Sequence, residues 1–180
     1  MSFPLIKIVS GAQTGVDRAA LDVAIFLDIA HGGWCPLGRR AEDGSIPAIY
    51  QLQETPQRNY AIRTEKNVVQ SDGTLILFRD QISGGTELTI KFAKKHKRPF
   101  FCVDLSCSDS NLDSDLISDP GLGQKPDADP VPEPANDVAL LDWIVQNNIG
   151  VMNVAGPRES SSPGIAKLAE AFLVKALSPK

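Results

Sequence analysis

Cysteine is scarce in this chain: three in 180 residues, Cys35, Cys102 and Cys107, with no CxxC spacing. The scarcity argues against a disulfide scaffold, and the odd count reads as reduced thiols in a cytoplasmic protein. No spacing of His, Cys and Asp has the form of a zinc site. Long apolar runs are lacking as well, so no segment is expected to span a bilayer. Lys7 interrupts the only apolar stretch near the start, which argues against a secretory signal. The best-known nucleotide motifs are missing too. There is no Gly-Lys-Ser/Thr for a Walker A loop. The first turn is Gly11-x-x-x-Gly15 rather than GxGxxG, which disfavours NAD and FAD. Basic charge is short, with 18 Lys and Arg against 22 Asp and Glu. Seven of those acids crowd into residues 106–136, where Lys125 is the only base. The rest of the chain is therefore mildly basic, which suits a small anionic ligand and not nucleic acid.

What is present begins with the first turn. Residues 4–10 form a short β-branched run that reads as a buried parallel strand. Gly11 and Gly15 follow, where a backbone can bend or approach a ligand closely. Thr14 stands at an N-cap position, with Asp17 in the first helical turn. Free N–H groups and the positive end of the helix dipole converge there, and Arg18 adds a forked donor suited to phosphate. An ordinary strand-to-helix turn without a ligand fits the same residues.

Two further units repeat this pattern. Residues 74–78 are a buried strand, followed by Ser83-Gly84-Gly85-Thr86-Glu87 at the head of a helix reaching about Lys97. Residues 150–154 are another strand, followed by Gly156-Pro157-Arg158, with Arg158 facing the same crevice, and a last helix over 163–177. Helices are also expected at 15–28, 58–69 and 137–148, and a strand at 99–103. The chain thus reads as one α/β domain: a Rossmann-like, mostly parallel sheet of five or more strands with helices on both faces, its glycine turns meeting at one crevice. Residues 106–136, with five prolines, read as a long polar acidic loop. Their Asp109-x-Asn111-x-Asp113 spacing departs from a calcium loop at Ser114 and Pro120.

Other residues leave two readings each. Trp34 either stacks on a flat ring or packs against the sheet. Arg39 and Arg40 either meet a phosphate or stay solvated, with Glu42 and Asp43 as candidate partners. His31 and Cys35 stand four apart across a turn, a weak basis for a nucleophile pair.

Taken together, Ser10-Gly11-x-Gln13-Thr14-Gly15-Val16-Asp17-Arg18-Ala19, His31 to Pro36, Gly38 to Gly44, Ser71-Asp72-Gly73-Thr74, Gly84-Gly85-Thr86 and Asn153 to Ser160 resemble the molybdenum cofactor carrier protein family, across nearly the whole chain except the acidic segment. The resemblance implies a homo-oligomer, dimer or tetramer, whose pocket holds phosphorylated molybdopterin without transforming it. Partner molybdoenzymes or cofactor-synthesis proteins follow from it, with no nucleic acid and no membrane. Carried onto this chain, the ligand-holding set becomes Gly11, Gln13, Thr14, Gly15, Arg18, Trp34, Ser71, Asp72, Gly84, Gly85, Thr86, Asn153, Gly156 and Arg158, with no catalytic residue and no protein-bound metal. The Gly-Gly-Thr turn is more distantly similar to that of the cytokinin-activating phosphoribohydrolases. In that group a glutamate stands where this chain has Thr89, and Glu87 is the nearest substitute. Hydrolysis of a nucleoside monophosphate is therefore the alternative, with a nucleotide as ligand.

Overall fold

The computed structural model describes residues 4–106 and 137–179. Cys107, the calcium-like spacing and all but the first residue of the acidic segment lie outside the described residues. In chain order the elements are β1 (Lys7–Val9), α1 (Val16–Phe26), β2 (Ala30–Gly32), β3 (Trp34–Cys35), β4 (Arg40–Ala41), β5 (Gly44–Ser45), β6 (Gln53–Glu54), α2 (Tyr60–Val69), β7 (Gly73–Phe78), α3 (Gly84–Lys95), β8 (Phe100–Asp104), α4 (Asp137–Gln146), β9 (Val151–Ala155) and α5 (Ile165–Leu177).

Five of the strands form one parallel sheet in the order β2-β1-β9-β7-β8. β7 is buried at all six positions, which is why its sequence is an unbroken apolar run rather than an alternation. Its side chains still divide by face. Leu75 and Leu77 join Ile8, Met152, Val154 and Val103 under α1, α4 and α5. Ile76 and Phe78 join Ala155 and Ile90 on the other face, where α2 packs on α3. α1 lies against the sheet because Val16, Ala19, Ala20, Val23 and Ala24 make one buried stripe at helical spacing.

The strand order carries a functional consequence. Moving the last unit, β9–α5, to the front of the chain would give 3-2-1-4-5, the order of the doubly wound nucleotide-binding sheets. β9 then takes the place of the first strand. The order reverses between β9 and β7, and ligands of such sheets sit outside the carboxyl ends of strands at that reversal.

Helix ends fall within two residues of expectation, and the differences have local causes. α2 starts at Tyr60 because the Asn59 side chain accepts from the N–H of Ala61 at 2.9 Å. α5 starts after Gly164, whose left-handed φ of 87° no helix interior admits. The short pairs β3–β6 and β4–β5 are additions that two-residue strands do not announce in a sequence. Among the described residues no helix is long and apolar enough to cross a membrane.

Candidate functional site

The turns after β1, β7 and β9 meet at the carboxyl ends of the three central strands. The β1 turn is pressed against the β9 turn. Gly15 has φ 80°, and a Cβ there would stand 2.4 Å from the Pro157 carbonyl oxygen. The N–H of Val16 donates to that same oxygen at 3.2 Å. Gly156 is held as tightly, its absent Cβ falling 2.3 Å from the Leu77 carbonyl oxygen. Gly15 itself takes the N-cap position of α1, with no side-chain cap. Thr14, expected there, accepts instead from the N–H of Glu159 at 3.3 Å and donates to the Glu42 carboxylate.

Beside these turns opens a cleft of about 260 Å³, just below the roughly 300–1,000 Å³ of most ligand pockets. Gln13 and Asp17 line it from the β1 side, Tyr60 and Arg63 from α2, Ser83 to Thr86 from the head of α3, and Gly156 to Arg158 from the β9 turn. It therefore sits at the reversal between β9 and β7. The first-turn N–H groups of α3, those of Gly84 and Gly85, have no intrahelical partner. A Cβ on either glycine would meet nothing within 4 Å. The Oε1 of Gln13 accepts from the N–H groups of Thr14 (3.1 Å) and Glu42 (2.9 Å). These bonds fix which end of the amide is the donor, and its Nε2 is buried without a partner.

Arg63 is the more buried of the two arginines that line the cleft. Its guanidinium lies directly over Gly11, where a Cβ would stand 1.8 Å from Nη1. It pairs with the Asp17 carboxylate at 3.1 Å, and its Nε has no hydrogen-bond partner. Asp17 is 4% exposed. Burial pushes its carboxyl above the usual range, against the opposing pull of Arg63 and, more weakly, Arg158. Arg158 lies over the Tyr60 ring, 5.1 Å from its centroid. Two arginines, a helix N-terminus and an amide donor thus face a space holding one carboxylate, an arrangement suited to a small multivalent oxyanion.

The structure brings six of the expected residues to this cleft: Gln13, Gly84, Gly85, Thr86, Gly156 and Arg158. Gly11 and Gly15 serve it from behind, one by admitting Arg63 and the other by joining two turns. Arg18 points elsewhere, in an ion pair with Asp43. Trp34 borders a separate cavity of about 130 Å³ with Lys7, Asn67 and Gln70. Its ring is covered by Lys66 at 3.7 Å and its indole N–H donates to Gln70, so Tyr60 is the aromatic residue of the main cleft. Ser71 and Asp72 lie at the amino end of β7. There Asp72 accepts from the N–H groups of Gly150 (3.0 Å) and Val151 (2.7 Å) and ties β7 to β9. Asn153 is buried inside the sheet, 3.3 Å from the Thr74 hydroxyl.

Other candidates resolve simply. Arg39 donates to the carbonyls of Ile46, Pro47 and Tyr50 and braces a loop, while Arg40 is exposed. Cys35 is fully buried, and burial pushes its thiol up, away from nucleophile chemistry. Glu87 pairs with Lys91 at 2.6 Å, outside the cleft lining. Among the described residues no three His, Cys, Asp or Glu side chains group as metal ligands.

Arg63 and Tyr60 are the site residues that the motifs do not include, while Asp17 reads from the sequence as the acid of the first helical turn and not as part of the ligand-holding set. For Arg63 and Tyr60 the signal was present in α2. Thr64 and Asn67 share its buried face with Val68, where a helix over a plain core would carry apolar side chains throughout; Thr64 lines the cleft, while Asn67 bonds the Trp34 backbone.

The model of the circularly permutated YpsA SLOG family matches residues 8–118 and 128–177. Among solved structures, one described as a "putative molybdenum carrier protein" from Syntrophus aciditrophicus SB is 39% identical, with a TM-score of 0.79. The match covers 97% of this chain and 96% of that one. No curated protein matches.

Proposed function

Since the chain belongs to the circularly permutated YpsA SLOG family, we propose that it binds and carries a phosphorylated small molecule, the molybdenum cofactor in its pterin phosphate form, with the phosphate in the cleft between β9 and β7. The observation behind this reading is the set of donors left without partners: the Gln13 Nε2, the Arg63 Nε and the leading N–H groups of α3. A buried polar group without a partner costs about 1–3 kcal/mol, so a site that keeps two buried donors unmet, beside the solvent-facing N–H groups of Gly84 and Gly85, suits a partner that arrives from outside. The likeness to a protein described as a molybdenum carrier favours the pterin over other phosphorylated compounds. The phosphate meets α3 and Arg63, Gln13 holds one further oxygen, and the ring system lies toward Tyr60 and Arg158.

Mass spectrometry of the protein purified from its own source, with calorimetric titration by molybdenum cofactor and by AMP, tests this. A co-purifying pterin phosphate, and binding without turnover, is the expected result. Steady release of free base from AMP would instead establish the hydrolase alternative. In that case Asp17, the carboxylate in the cleft, is the group to replace first. Binding of neither compound would end the reading.

A further inference from the structure

Asp17 is the one carboxylate among the described residues that line the cleft, beside two arginines and the head of α3. It holds Arg63 in place, but a buried negative charge beside an oxyanion is unfavourable unless something neutralises it. The charges facing Asp17 are few. Arg63 comes from α2 and Arg158 from the β9 turn. α3 presents only its N-terminus, since Ser83, Gly84, Gly85, Thr86, Leu88 and Thr89 are its lining residues. With Asp17 ionised the two arginines leave a net charge of +1. A monoanion balances that charge, whereas a dianion overshoots it by one.

We propose, on the reading that this cleft binds an oxyanion, that Asp17 takes up one proton when a dianionic ligand enters, so that the cleft binds dianions with proton uptake. The arriving oxyanion draws the Arg63 guanidinium into its own hydrogen bonds and weakens the ion pair that keeps Asp17 charged. The carboxyl then takes a proton from solvent and becomes a donor. The occupied cleft balances at zero: two guanidinium groups against a dianion and a neutral acid. Burial already pushes the Asp17 carboxyl above the usual range, so weakening its pair with Arg63 removes the main influence that opposes protonation. Phosphomonoesters and sulfate belong to the ligand class so selected. A monoanionic diester draws no proton and loses this pH dependence.

Sulfate is the probe, because its charge does not change from the carboxylate range to mildly alkaline pH. Its Kd is measured by ligand-induced thermal shift across that range, at constant ionic strength held with chloride. For the wild type, the Kd is expected to rise about tenfold per pH unit above the titration of Asp17 in the empty cleft. In Asp17→Asn, the neutral isostere, the Kd should stay flat near the low-pH wild-type value. A flat wild-type profile overturns the proposal, and so does a slope that survives in Asp17→Asn.

If that variant does not fold, infrared difference spectra of the wild type decide the matter. Sulfate binding should bring up the carbonyl stretch of a protonated carboxylic acid, and bound sulfate without that band is a negative result. Failure of both sulfate and AMP to bind at any pH would instead remove the oxyanion cleft itself, and this inference with it.

Discussion

Two glycine turns at the head of the sheet are built in opposite ways. In the β1 turn the missing side chains are filled by other parts of the protein: the Arg63 guanidinium covers Gly11, and the Pro157 carbonyl stands 2.4 Å from where a Gly15 Cβ would be. In the β7 turn nothing lies within 4 Å of the corresponding positions on Gly84 and Gly85. The first turn uses glycine so that chain can pack on chain, and the second leaves N–H groups bare. Even the side chains follow this division. Glu42 and Asp43, from the β4–β5 hairpin, clamp Thr14, Ser160 and Arg18 around the first turn, while Ser83 gives α3 no side-chain cap. A glycine in a strand-to-helix turn therefore says little about ligands until its empty side is known to face solvent or protein.

The sharpest way to break this comparison is Gly85→Asp. Its Cβ meets open space and its φ is not in the left-handed region, so stability should change by less than about 1 kcal/mol. The new carboxylate would repel an oxyanion and occupy the N–H groups itself. Each charge-assisted hydrogen bond lost is worth about 1.5–3 kcal/mol, so losing two should weaken AMP or cofactor binding by roughly two to four orders of magnitude. Calorimetry beside a melting curve reads both numbers. A normally folded variant with undiminished affinity would place the ligand elsewhere.

Gly15→Ala should do the reverse. The added Cβ meets backbone, which cannot swing aside, at a φ of 80°. A loss of roughly 3–5 kcal/mol in urea unfolding is expected, in line with overpacking and backbone strain acting together. If the variant is as stable as the wild type, the two turns are not the opposites they appear in the structure.

These contrasts also explain what could be read beforehand. Apolar runs such as residues 4–10 and 74–78 announced the parallel sheet, because a strand buried on both faces is apolar throughout. The meeting of three glycine turns was legible too, since parallel strands put all their carboxyl ends on one side. Which turn holds a ligand was not, because that depends on distant neighbours: Arg63 over Gly11 lies 52 positions along the chain. Arg18 and Trp34 had the right chemistry for a ligand, but Asp43 and Lys66 occupy them. The order β2-β1-β9-β7-β8 could not be read at all, since local pattern does not say where the last strand inserts.

The smallest expected effect sharpens the comparison at the clamp. Glu42 accepts hydrogen bonds from Ser160 and Thr14, and these hold its carboxyl below the usual glutamate range. The folded state therefore binds this proton less readily than the unfolded chain. Its contribution to stability is present above the unfolded value and is lost as pH falls through the lower folded one. Glu42 is exposed, so solvent screening keeps that contribution at about 1 kcal/mol or less. Glu42→Gln should lower stability slightly at neutral pH, with the gap to the wild type closing as the solution is acidified through the carboxylate range. Urea midpoints at a series of pH values measure this. A gap that stays constant with pH would mean that the clamp works through the shape of the hairpin, and that the charge on Glu42 contributes nothing to holding the β1 turn shut.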